Sequence, residues 1–172
     1  MPNPETLDEA REDFINQWGV LGSKWGINRT MAQIHALLMV SSEALSTDDV
    51  MEQLSISRGN AHSNLRELVQ WRLVNSVIKK GERKEFFEAE KDVARIFSLV
   101  IKERKSREFD PALEMLHACQ EKTRGLKSAE AKAFNKQIGE LSGIMDSVGG
   151  ILDKASKSGP SKMLTALLKR LP

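Results

Sequence analysis

The tightest constraint on the fold lies between Leu45 and Glu90. Ser46 or Thr47 can cap a short helix that carries Asp48 and Asp49 in its first turn, where the helix dipole favours anions, and turns Val50, Met51 and Leu54 inward. Ser55-Ile56-Ser57 reads as a turn, and a second helix is predicted from Ser57 to about Arg72. With Leu65 as origin and about 100° per residue, Ala61, Leu68, Val69 and Arg72 fall within roughly 60° of it. Gly59, Asn60, Ser63, Glu67 and Gln70 fall on the opposite side. Val74, Ser76 and Ile78 then alternate with Asn75, Val77 and Lys79, a turn forms at Gly81, and Phe86-Phe87-Glu88-Ala89 supplies the returning strand. Two short helices, a tight turn and a basic hairpin in this order outline a winged helix-turn-helix.

That outline implies an outward helical edge that is polar, small near its start and poor in acid, as insertion into a major groove requires. Most solvated helix faces are polar too, so the hairpin adds weight: Lys79, Lys80, Arg83 and Lys84 at its tip would reach phosphates beside the groove. For Arg58 the competing role is an ion pair with Glu52 or a neighbour, and Arg66 is equally suited to an ion pair or a phosphate.

Helices are expected on both sides. Leu7, Ala10, Phe14, Trp18 and Leu21 make one apolar stripe between Glu5 and Lys24. Gly22, Gly26 and Asn28 interrupt the pattern, and Asn28 or Thr30 caps a nearly all-apolar helix from Met31 to Ser41. After Asp92, Val93, Ile96, Phe97, Val100 and Ile101 form a stripe. Lys102 to Glu108 is a charged break, and Asp110-Pro111 starts the next helix, with Leu113, Leu116, Ala118 and Leu126 on its apolar side. Ala129 to Asp153 is helical through Ala133, Phe134, Ile138, Leu141, Ile144, Met145 and Val148, with Gly149-Gly150 near its end. Ser158-Gly159-Pro160 sets off a last helix, Met163 to Leu171.

The expected organisation is therefore an N-terminal helix, 1–28, that contributes to dimerisation, a winged helix-turn-helix over 29–91, and a helical dimerisation region over 92–172. A winged domain does not need some eighty further residues to fold, and the same helices of a second copy are the economical cover for their apolar stripes.

Composition narrows the class. Of 172 residues, 40% are hydrophobic and 29% charged, with no apolar run near the length that spans a bilayer; neither secretion signal nor disulfide partner for Cys119 is apparent, so a cytoplasmic protein is expected. The net charge of +2 is too mild to argue for nucleic acid by itself. An enzyme is not expected: His35, His62 and His117 show no metal-ligand spacing, and Gly19 to Lys24 lacks the ending of a phosphate loop. No cofactor is expected. With no Tyr, an aromatic cage from Trp18, Trp25 and Trp71 is hard to assemble, and Trp18 and Trp25 are expected in the core.

Several motifs occur together in order: Phe14-Ile15-Asn16-Gln17-Trp18-Gly19, Trp25-Gly26-Ile27-Asn28-Arg29, Ser55-Ile56-Ser57-Arg58-Gly59-Asn60-Ala61, Asn64-Leu65-Arg66-Glu67-Leu68, Gly81-Glu82-Arg83-Lys84 and Phe86-Phe87-Glu88-Ala89. Over roughly Glu5 to Lys122 the chain resembles the GbsR branch of the MarR-type transcriptional regulators. The resemblance implies a mainly α fold with a small hairpin wing and helical dimerisation extensions. It also implies a homodimer on double-stranded DNA, a repressor more than an activator, with relatives that control osmoprotectant uptake and synthesis; any small-molecule effector is unassigned. It places Ser57, Arg58, Asn60, Ser63 and Asn64 toward base edges or phosphates and Lys80, Arg83 and Lys84 in the wing, and Thr47, His62, Arg66 and Lys79 complete the expected DNA-binding set. The alternative is a winged module that binds another protein. Two departures stand out. Relatives carry a small residue at the place of His62, and Trp71-Arg72-Leu73-Val74 lacks the glycine with which the family ends its reading helix, so that exit is either strained by about 1 kcal/mol or shifted in register.

Overall fold

Asn28, Ser46 and Ser57 each stand just before a helix with a side chain that accepts a backbone N–H of its first turn, and these three caps set where α-helices of the N-terminal half begin. The protein's structure, a computed structural model, describes the backbone of residues 4–168 and the side chains of residues 6–157. In chain order the elements are α1 (Pro4–Lys24), α2 (Arg29–Val40), β1 (Leu45–Ser46), α3 (Thr47–Leu54), α4 (Arg58–Gln70), β2 (Val74–Ile78), β3 (Glu85–Ala89) and α5 (Val93–Arg104). A π-helical turn (Lys105–Phe109), α6 (Asp110–Thr123) and α7 (Ala129–Leu168) follow. The chain divides into two units, Met1–Val93 and Ala94–Pro172.

In the first unit α2 is the centre, in contact with α1, α3, α4 and β3. Ile34 and Leu38 of α2, Val50 of α3, Leu65 and Leu68 of α4, Val74 of β2 and Phe87 of β3 are its fully buried large side chains. Burying each contributes roughly 1.5 to 3 kcal/mol. Gly22 does not interrupt α1 as its residue type suggested. It lies inside the helix, where a Cβ would come within 2.6 Å of the Ala32 Cβ, so its smallness serves the α1–α2 approach, and the turn falls instead at Gly26, φ +76°. Trp25 is 52% exposed, contrary to the expected core position, because it follows the last turn of α1.

Ser46, not Thr47, caps α3, in a reciprocal box: its Oγ accepts the Asp49 N–H at 3.3 Å while Asp49 Oδ2 accepts the Ser46 N–H at 2.7 Å. Ser55 adopts the left-handed region, φ 52°, and the Ile56 N–H donates to the Met51 carbonyl, so three residues, Ser55 to Ser57, turn α3 into α4. The sheet is antiparallel in the order β1-β3-β2, with Val74 opposite Ala89, Ile78 opposite Glu85 and Leu45 opposite Phe87. The expected hairpin thus gains a third strand of two residues, too short to show an alternation. Val74 is buried, but Ile78, expected on the same face, is 84% exposed where β2 runs out of the sheet's cover.

The exit of α4 keeps its register. The Arg72 N–H donates to the Val69 carbonyl and the Leu73 N–H to Leu68, the paired bonds that commonly close a helix on glycine, here closed on Arg72 at φ +61°. Arg72 therefore lies past the helix and is exposed, not on the inward face its angle suggested. A non-glycine there carries backbone strain of about 1 kcal/mol or more. Replacing Arg72 with Gly is expected to raise stability by about 1 kcal/mol in urea denaturation, and a loss of stability would show that the Arg72 side chain outweighs the strain.

In the second unit the charged stretch after α5 is not a break. The helix widens by one residue over Lys105–Phe109, with the Asp110 N–H donating to the Lys105 carbonyl, and runs on into α6. The wide turn immediately precedes Pro111, whose ring an α-helical backbone would set against the carbonyl of Arg107. Lys105 Nζ lies 2.8 Å from Asp110 Oδ1 and 3.3 Å from Asp153 Oδ1, which ties this turn to α7. Asn135 Nδ2 donates to the Thr123 carbonyl at 3.1 Å, which ties α6 to α7 near the other end. Gly149 does not end a helix: a Cβ there would stand 3.2 Å from Phe109 Cε1. Nor do Ser158-Gly159-Pro160 set off a separate helix, since α7 continues to Leu168; Leu171, the expected end of that helix, lies outside the described residues.

Candidate nucleic-acid interface

α4 shows two sides. Ala61, Asn64, Leu65 and Leu68 are buried, whereas Ser57, Arg58, Gly59, Asn60, His62, Ser63 and Arg66 are exposed. A Cβ built on Gly59 meets nothing within 4 Å, so the start of the edge is open. Asn64 departs from the expected placement: only 6% exposed, it donates from Nδ2 to the Asn60 carbonyl at 2.8 Å and to Asn60 Oδ1 at 2.7 Å. Burial obliges that amide to find partners inside the protein, so it braces the first turns of α4. Thr47 is half-buried at the first position of α3.

The expected cations divide by what they already hold. Arg58 forms an ion pair with Asp48, and Lys84 Nζ lies 2.8 Å from the other oxygen of the same carboxylate. Arg66 pairs with Glu85 at 3.1 Å, and Glu85 also accepts from Ser76 Oγ at 2.6 Å, which ties the middle of α4 to the sheet. Lys79 is drawn inward: its Nζ donates to the Ala44 carbonyl at 3.2 Å and sits 4.2 Å from the centre of the Phe86 ring. Lys80 and Arg83, in the 79–84 loop, are exposed.

Hydrogen bonds from Lys84 and then from Arg58, with the charges behind them, hold the Asp48 carboxyl below the usual carboxylate range. The same contact raises the Lys84 ammonium. One carboxylate therefore gathers α3, the first residue of α4 and the wing loop, so the open edge and the basic loop lie on one face of the unit. Sequence reading gave Asp48 only a dipole role, because its partners stand 10 and 36 residues away. Glu85 was missed for the same reason, at 19 residues from Arg66. Among the described residues no group of three His, Cys, Asp or Glu is placed to hold a metal ion, and no described helix is long and apolar enough to cross a membrane.

No family model matches the chain. Over 98 residues, 56% of this chain and 54% of the relative, it is 26% identical to the HTH-type transcriptional repressor GbsR of Bacillus subtilis (strain 168), so the match spans about half the length of that curated relative. A crystal structure of a transcriptional regulator superposes with a TM-score of 0.56 at 15% identity, covering 84% of this chain and 99% of the other. The fold is a mainly helical winged helix-turn-helix with a small three-stranded sheet, and over about half its length the chain is similar to a GbsR-type repressor.

Proposed function

We propose that this protein is a sequence-specific DNA-binding transcriptional regulator that acts as a cytoplasmic homodimer. α4 enters the major groove and the 79–84 loop touches the flanking backbone. The observation that carries this reading is the convergence of Arg58 and Lys84 on Asp48, which sets the uncovered start of α4 beside a basic loop, the pairing that groove and phosphate contacts require together. On this reading Ser57, Arg58, Asn60, His62 and Ser63 face bases or the nearest phosphates, with Thr47 and Arg66 at the margin, and Lys80, Arg83 and Lys84 meet the backbone. Asn64 and Lys79 support them from within.

Residues 1–28 and 92–172 are proposed to hold two copies together, through the apolar face of α7 in particular. Repression is the proposed sign, and osmoprotectant or transport genes the proposed targets, both by likeness to the relative. A small-molecule effector would find room in a cleft of about 730 Å³ between α1, the end of α2 and α3, lined by Glu12, Ile15, Leu37, Glu43 and Leu54 among others. Sites for such ligands commonly measure about 300 to 1,000 Å³.

Selection of bound fragments from genomic DNA, followed by titration of the best site, tests the reading. Replacing Lys80 and Arg83 together with Ala is expected to weaken binding by about tenfold per lost contact at 0.1 M salt and to lower the salt slope by about two, with the preferred sequence unchanged. A changed preference would remove those residues from the backbone contacts. Failure to hold any duplex in dilute salt would favour the protein-binding alternative.

A further inference from the structure

On the proposed DNA face one acid does what a phosphate would do. Asp48 lies in the first turn of α3, its side chain 41% exposed, and its two oxygens are divided between Arg58 and Lys84, which are themselves more than half exposed. Neither helix start depends on this carboxylate: the capping of α3 rests on Ser46 and Asp49, and α4 is capped by Ser57. We infer that Asp48 is an internal competitor for DNA phosphates, a residue that weakens attachment to arbitrary duplexes by occupying two of the cations such attachment would use. The inference rests on the DNA-binding reading and deepens it.

The physics is that of ion exchange. A cation that meets a phosphate releases a condensed counter-ion, and this sequence-independent gain supplies essentially all of non-specific affinity. With the carboxylate between them, Arg58 and Lys84 present one net positive charge instead of two. When a duplex arrives, phosphates must draw both away from Asp48, and the carboxylate is left facing the DNA at close range, where like charges repel. A cognate site offsets that loss through base-edge contacts along α4, which a random site lacks, so the penalty falls on both but only random binding is left weak.

Asp48→Asn keeps the size and hydrogen-bonding shape of the side chain and removes its charge. In titrations at 0.1 M salt, the variant is expected to bind a random-sequence duplex about tenfold more tightly than the parent, with a salt slope steeper by about one. In the Arg58→Ala/Lys84→Ala background the same change is expected to gain clearly less than in the parent, about threefold, since only the repulsion between carboxylate and DNA is left to relieve and no cation remains to free, and that background separates the competition from a general gain in charge. Circular dichroism of each variant checks that the helices are intact. Equal binding by parent and variant, or an equal gain in the cation-free background, would overturn the competitor role. Weaker binding by Asp48→Asn would overturn it also, showing a carboxylate that positions the cations for DNA. If the parent itself ignores every duplex in dilute salt, the DNA-binding reading fails first, a result distinguishable from a parent that binds and a variant that does not differ.

Discussion

Replacing Leu141 and Val148 together with Asp is expected to leave the protein monomeric and to lower its affinity for a two-half-site DNA target by about a hundredfold or more. The expectation comes from the way α7 divides its faces. The side of α7 that is covered or half-covered carries Ile138, Ser142, Met145, Gly149 and Leu152, with Asn135 bonded to Thr123 and Gly149 against Phe109. A second set of large apolar side chains, Phe134, Leu141, Ile144, Val148 and Ile151, is exposed, Ile144 to 64%. These follow one another at intervals of seven, three, four and three, the spacing that keeps a seam turned toward another helix through successive heptads. A second copy of α7 supplies the same spacing. Aspartates at two of these positions set like charges face to face in such a seam and leave the Asn135–Thr123 and Lys105–Asp153 ties in place, so helicity measured by circular dichroism should persist. Sedimentation reads the mass, and gel retardation on one and two half-sites reads the affinity. A variant that remains a dimer would move the interface to another surface.

The stability of the N-terminal unit is expected to fall by about 3 kcal/mol as pH drops from about 6.5 to about 4, and His35→Leu is expected to remove most of that slope. His35 lies in the middle of α2 at 5% exposure, with no hydrogen-bond partner for Nε2. Burial first, and the nearby positive charge of Lys91 second, lower its pKa from 6.5 to about 4. Lys91 cannot easily swing away, because its Nζ donates to the carbonyls of Leu38, Met39 and Ser41 at the end of the same helix. Above pH 6.5 the imidazole is neutral in both folded and unfolded chains and contributes no pH dependence. Below it the unfolded chain takes up a proton that the folded chain refuses, so folding loses ground until the folded pKa is reached. The Asp48 and Asp49 carboxyls, held below the usual range, act lower on the pH scale, where their stabilising contacts are lost as they protonate. Urea denaturation of both proteins at pH 7.5 and 4.5 measures the difference. Parallel losses would mean that His35 is not the group responsible.

The parts of this fold that can be read from the chain are those decided within a few residues. Ser46 with Asp49, the Ser55-Ile56-Ser57 turn, and the spacing of Ala61, Leu65 and Leu68 each act over one or two helical turns, and their expected positions agree closely with α3 and α4. What is hidden depends on partners far along the sequence. Gly22 and Gly149 look like punctuation, yet each sits inside a helix because another element comes close. Asn64 carries a side chain suited to reading bases, and only the burial of that side of α4 shows it turned to its own backbone. Of the cations on the proposed DNA face, type and position could be read from the chain, but the acids that hold Arg58, Lys84 and Arg66 are invisible to periodicity because they enter from α3 and β3.

The π-helical turn at Lys105–Phe109 has a geometric consequence for the second unit. An α-helix advances about 100° with each residue, so one residue absorbed in a wider turn rotates everything downstream by that angle relative to an unbroken rod. The side of α6 that mates with α7 is thus chosen by arithmetic, by how many residues precede it, as much as by chemistry. Point substitutions in this turn preserve the count. Losing a single residue there would swing α6 through more than a quarter of a revolution and present its partner helix with the wrong surface.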